Sequence, residues 1–149
     1  GTWATATPDE IIGDVNDLLI GVHSVTNTVA MADTLILPIE RYQVLASKRL
    51  TDTSMTILEF LRTSNVYTAT TGSPLTIRGM RKLLTAGAGS TARMIAYRRS
   101  PEVLKMHIPM PHRFLPLQIE RLTYMYPGLF RIGGLDIRLP LEVRYGDGI

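Results

Sequence analysis

The stretch GLDIRLPLEVRYGDGI, residues 134–149, constrains the fold more than any other. Leu135, Ile137, Leu139, Leu141, Val143 and Tyr145 alternate with Asp136, Arg138, Pro140, Glu142 and Arg144. A strand turns successive side chains to opposite faces, so the alternation predicts one half-buried strand with its apolar face inward. A slip of one residue would put every apolar group in water, which fixes the register. Pro140 cannot donate to a ladder and places the strand at an edge or a bulge. Gly146-Asp147-Gly148 ends it. The polar face, with Glu142 between Arg138 and Arg144, meets either solvent or another subunit.

The opposite pattern stands near the start. Thr7-Pro8-Asp9-Glu10 reads as a helix start, with Thr7 as cap, Pro8 in the first turn and Glu10 completing a capping box. Ile11, Ile12, Val15, Leu18, Leu19, Val22 and Val25 then fall on one stripe of a helix of about five turns. Gly13 and Gly21 weaken that helix and mark close packing. Residues 1–6 read as extended or loose, Trp3 included.

Between these ends the signals are shorter. Residues 33–38 predict a buried strand ended by Pro38. Residues 39–50 predict a helix with Tyr42, Leu45 and Ala46 inward. Thr51-Asp52-Thr53-Ser54 offers caps for a further helix over 55–62. Residues 65–74 read as a loop, residues 75–84 as strand or helical turn, residues 86–90 as a flexible turn, and residues 92–97 as a strand. From Leu104 the period becomes two, interrupted by Pro109, Pro111, Pro116, Pro127 and paired glycines. Helices dominate the first half and strands the second, which is an α+β pattern with a mixed or antiparallel sheet.

At 149 residues the chain is long enough for one core or two small lobes. It contains no cysteine, which excludes a disulfide scaffold, a thiolate metal site and a cysteine nucleophile, and suits a reducing compartment. It opens on Gly1 without an initiator methionine, so its start reads as processed, cut or engineered, and no signal-peptide pattern follows. No apolar run is long enough to span a membrane. Charge is unevenly placed: residues 1–40 carry six acidic and no Lys or Arg side chains, whereas the rest carries 16 basic and seven acidic ones, 13 of them Arg. Such a split fits nucleic-acid contact or complementary patches between lobes or subunits.

The search for chemistry gives little. His107 and His112 are five apart in an extended segment and so face opposite ways, a poor metal pair. Asp9, Glu10, Asp14 and Asp17 coincide with a helix start, whose dipole favours them without a metal. GAGST at 87–91 lacks the lysine of a phosphate loop and reads as a turn. Arg78, Arg81, Lys82, Arg93, Arg98 and Arg99 could form a basic patch, but no aromatics alternate with them for base stacking. No catalytic, cofactor or metal residue is assigned.

Read as an ordered set, TPDEIIGDVNDLL, ADTLILPIERYQVLASKRL and the run from ARMIAYRRS to the last residue resemble the C-terminal part of tailed-bacteriophage major capsid proteins of the Hong Kong-97 type, prophage relatives included. Residues 33–41 fit its strand–Pro–helix unit, residues 92–99 its aromatic strand, and residues 117–144 its closing strands. The resemblance implies a phage capsid fold with an apical-type lobe over residues 1–100 and a peripheral-type lobe over 101–149. It further implies pentamers and hexamers of copies of the chain around a DNA-filled head, in the virion or, before assembly, the host bacterial cytoplasm. It also implies that the N-terminal arm, extended loop and spine helix lie outside this stretch. An encapsulin-like shell, a nucleic-acid-binding module built on the Arg-rich middle, and a small enzyme around the acidic helix and His23 stand as alternatives. A ligand near Asp14 and His23 would favour the enzyme; salt-sensitive DNA binding along a contiguous basic groove would favour the module.

Overall fold

The computed structural model describes residues 2–149. Helix α1 spans Pro8–Val25, and its start is capped as its sequence requires. The Glu10 amide donates to Thr7 Oγ1 at 3.4 Å and the Thr7 amide donates to Glu10 Oε2 at 2.7 Å. Ile11, Val15, Leu18, Leu19 and Val22 form its buried stripe. Gly21 is a close-packing point, because the Arg144 guanidinium lies where a side chain would stand, while Gly13 has open space. The opening residues are not loose. Trp3 is fully buried, and its indole N–H donates to Asp14 Oδ2 at 2.8 Å, folding residues 2–6 back onto α1.

Strand β1 (Thr34–Pro38) leads into α2 (Ile39–Ser47), α3 (Ile57–Thr63), α4 (Val66–Thr71) and then β2 (Thr76–Met80). Strand β3 covers Arg93–Tyr97 and β10 covers Val143–Asp147. These four form one mixed sheet in the order β10-β3-β1-β2, with β1 and β2 parallel and the other pairs antiparallel. Helix α1 packs on β3 and β10, while α2 packs on β1 and β2. Leu35 and Leu37 on β1, with Leu45, Ile57, Leu61, Ile77, Met94 and Ala96 around them, build a single core with the α1 stripe and Trp3.

Several local expectations shift. Helix α2 stops at Ser47, because Lys48 turns extended and Arg49 bridges to Thr56, and Ala46 is exposed, not inward. That small hairpin moves the next helix start, and its cap is Thr56, accepting from the Glu59 amide, not any of residues 51–54. The expected loop 65–74 contains α4, capped by Asn65 and closed by Gly72 in the left-handed conformation. After β2 the chain turns at Lys82, whose φ of 68° forbids a helical continuation.

The largest correction concerns residues 134–147. They are not one strand with a buried apolar face. Strand β9 covers Gly134–Ile137, a 3₁₀ turn covers Pro140–Glu142, and β10 runs on through Gly146 to Asp147. Leu135, Ile137, Leu139, Leu141 and Tyr145 are exposed, whereas Glu142 is buried. Pro140 breaks the ladder, as its missing N–H dictates, and the turn lets β10 rejoin the sheet beside β3.

Candidate assembly surface

Between β3 and β10 the chain leaves the body. Strands β4 (Leu104–His107), β5 (Met110–Phe114) and β6 (Gln118–Glu120) run outward, and β7 (Thr123–Met125), β8 (Gly128–Arg131) and β9 return, pairing in nested order β4-β9, β5-β8, β6-β7. This is one two-stranded ribbon, at most about 55 Å long at the usual rise per strand residue. An isolated two-stranded hairpin is marginally stable in water and is normally backed by another layer. No other element backs this one among the described residues.

The root of the ribbon is amphipathic. Across β4 and β9, Leu104 faces Ile137 and Met106 faces Leu135, while Lys105 faces Asp136 on the other side. The polar side is closed by Asp136, which lies 3.4 Å from Arg138 Nε and 3.7 Å from His107 Nε2. The apolar side is open to water. Farther out, the His112 ring meets Phe114 edge-on at 4.7 Å and Phe130 at 6.3 Å. Phe114 and Ile119 are each 70% exposed, and Ile119 stands opposite the exposed Tyr124. Apolar residues scattered singly on a surface need no explanation, but so many exposed on one projecting element make it a candidate interaction surface.

The tip is a two-residue turn, Arg121-Leu122, between the paired Glu120 and Thr123. Both residues have positive φ, 48° and 66°. Such turns favour Asn-Gly, and an L side chain in this region costs about 1–2 kcal/mol. Leu122 is also 99% exposed.

The root of the ribbon is held firmly. Glu142 and Arg98 form a two-point ion pair, with Arg98 Nη2 donating to Glu142 Oε1 at 3.1 Å. At the far end of β10, Asp147 accepts from Arg93 Nε at 2.6 Å, from Arg93 Nη2 at 2.9 Å and from the Ala88 amide at 3.1 Å. The Arg93 bonds, then the Ala88 amide, hold the Asp147 carboxyl at about 2, below its ordinary 3.8. Arg93 also lies over the Tyr145 ring, 4.3 Å from its centre. These two clamps tie the returning strand to the body.

The other candidates from the sequence fall apart in space or are already used. The Arg-rich middle does not form one groove: Arg93 and Arg98 are spent on Asp147 and Glu142, and Arg78, Arg81 and Lys82 lie exposed at β2 and the turn after it. The GAGST amide of Ala88 already serves Asp147, which makes that loop a structural turn. Glu10 is a cap, and Asp14 receives the Trp3 indole. His23 Nδ1 lies 3.4 Å from the Ala30 carbonyl oxygen, and no group of three or more His, Asp or Glu side chains converges among the described residues. No helix among them is long and apolar enough to cross a membrane. The alternating residues 104–126 signalled extended structure, but alternation alone does not tell an inward face from one awaiting a partner.

The sequence matches the family described as Major capsid protein over residues 1–149. No curated protein sequence matches it. Among solved structures it is similar to the capsid of Myoviridae Phage XM1, with a TM-score of 0.85 at 23% identity. That match covers 99% of this chain and 49% of the other, so the chain spans about half the length of the phage subunit. The family match spans the whole chain and the fold is shared with a phage capsid, so the chain belongs to the major capsid protein family, with the α+β fold of a tailed-phage capsid.

Proposed function

We propose that the whole protein containing this chain is structural, building the closed DNA-containing head of a tailed phage or prophage and turning over no substrate of its own. The observation that carries this reading is the ribbon β4–β9: a long element whose apolar side has nothing to cover it until other parts of the subunit and neighbouring copies do. Residues 1–100 supply most of the apical-type lobe and residues 101–149 most of the peripheral-type lobe, with β10 returning to complete the sheet of the first. Copies join as pentamers and hexamers. Heterologous contacts of this kind close into rings when the rotation between copies is right. Exposed arginines, Arg78 and Arg81 among them, contact packaged DNA through its phosphates without reading sequence.

Hydrogen exchange on the full-length protein tests this reading. Amides of residues 104–137 exchange quickly in dissociated subunits and gain protection when light scattering reports assembly. Equal exchange in both states would remove the ribbon from the assembly contacts.

A further inference from the structure

Resting on the shell reading, we propose that the uncovered face of the β10-β3-β1-β2 sheet seats the outer side of helix α1 from a neighbouring copy. The helices of one copy cover one face only. Leu35 stands opposite Ala96 and Ile77, and Met94 opposite Gly146. Residues directly opposite share a face. That face meets Leu18 of α1 at Gly146, and Ile39 and Tyr42 of α2 at Gly79. The other face carries the row Tyr145, Ile95, Ile36 and Arg78 across the four strands, with Tyr97 and Val143 beside it. Ile36, Ile95, Tyr97 and Val143 are half-buried, and Tyr145 is 60% exposed. No helix packs on this face among the described residues. Parallel pairs such as β1–β2 normally sit in sheets with both faces covered, whereas antiparallel pairs can face water.

The outer side of α1 is the complement. Asp9, Gly13, Asp17 and Ile20 lie on the side of the helix turned away from its buried stripe. Gly13 is the telling residue. Glycine in mid-helix is destabilising relative to alanine, yet a Cβ at Gly13 would meet nothing within its own subunit. A bare helix surface at that point lets another layer approach closely. Ile20 is 45% exposed beside it. Asp9 and Asp17 are exposed and have no ion pair among the described residues, and neither has Arg78 on the sheet face. Strand β2 is the edge strand, so Arg78 stands at the border of the face, open to a neighbour's carboxylate and to solvent alike. Because α1 lies on one face of the sheet and the seat is the other, copies stack helix layer to sheet face. The contact joins two different surfaces of one chain, so it propagates around a ring instead of stopping at a dimer. At the usual strand spacing and rise the face measures roughly 19 Å by 16 Å, about 300 Å² a side. That is too little for a stable free pair, so the stack depends on the closed ring.

The test uses full-length protein. The chain has no cysteine, so thiols placed in it report directly once any cysteine elsewhere is changed to serine. Ile20→Cys and Tyr145→Cys subunits are mixed, assembled and treated with a short bifunctional thiol linker, so that every link joins two copies. A linked Ile20→Cys–Tyr145→Cys pair is expected, and Tyr145→Cys with Ser73→Cys, exposed beyond α4, gives little. A main product linking either variant to itself, or equal yield with Ser73→Cys, overturns the proposal. Gly13→Leu favours the helix and meets nothing within its subunit, so subunit melting stays level or rises. The protein concentration it needs for assembly rises at least tenfold, because the added side chain holds the neighbour's sheet away. In particles assembled without DNA, Arg78→Glu weakens assembly and Asp17→Arg restores it. Assembly of Gly13→Leu at the parental concentration, or failure of the charge exchange to restore Arg78→Glu, contradicts the stack. If the parent forms no closed particles, the shell reading fails, and the linking yield in whatever oligomer forms still decides the stacking.

Discussion

At the start of α1, Thr7 and Glu10 each answer an amide that the first turn leaves without a helical partner. Thr7→Ala is expected to lower stability by about 0.5–2 kcal/mol, the usual range for loss of such a cap, and Glu10→Ala to act in the same direction; denaturant titration measures both. Equal midpoints for mutant and parent would show that the box is incidental. Glu142 carries a different kind of weight. Its buried carboxylate is matched by Arg98, so Glu142→Ala strands the arginine and should cost about 1–3 kcal/mol. Asp147 adds a pH dependence. Its folded value is depressed, so its clamp contributes above the ordinary carboxylate value of 3.8 and is lost as pH falls toward about 2. The melting temperatures of the parent and Asp147→Asn should therefore differ at neutral pH and converge across that window. The capping box was legible because its four residues are contiguous. The Trp3–Asp14 bond and the Arg98–Glu142 pair were not, because their partners are 11 and 44 residues apart and nothing local links them.

Among the elements, periodicity was readable where the body itself buries a face. Helix α1, β1 and β3 follow their apolar patterns closely because the same core receives all three. The pattern in residues 134–145 misled for a physical reason. Alternation records that one face is meant for an apolar environment, and it does not record whether that environment lies in the same chain. Leu135 and Ile137 on β9 are patterned for burial and left exposed. The same holds for Met106, Phe114 and Ile119 on the outgoing strands. Proline was the more reliable guide, since Pro140 marks where the ladder breaks. The ribbon should be the least protected element of the isolated subunit, opening with a free energy well below that of the sheet. Limited proteolysis of dissociated subunits should cut first within residues 104–137, and cleavage within β1 or β3 before that would contradict the division into firm body and unsupported ribbon.

For the molecule as a whole, charge and surface fit the contact between copies proposed above. The first 40 residues carry net −6 and the remainder net +9, and part of that difference is spent internally, in Arg93–Asp147 and Arg98–Glu142. The acidic face of α1 is not, since Asp9 and Asp17 have no ion pair among the described residues. The ordered motifs of the chain carried the resemblance to phage capsid proteins, and the family match and the shared fold bear it out. No sequence signal located the proposed assembly surface, because that surface is defined by what it lacks within one subunit. Electron microscopy of the full-length protein, expressed with a scaffold if its gene neighbourhood supplies one, tests the central claim most directly. The account predicts closed particles of uniform diameter. A protein that stays a small oligomer in every assembly condition, yet turns over a substrate or binds one DNA sequence, would contradict it.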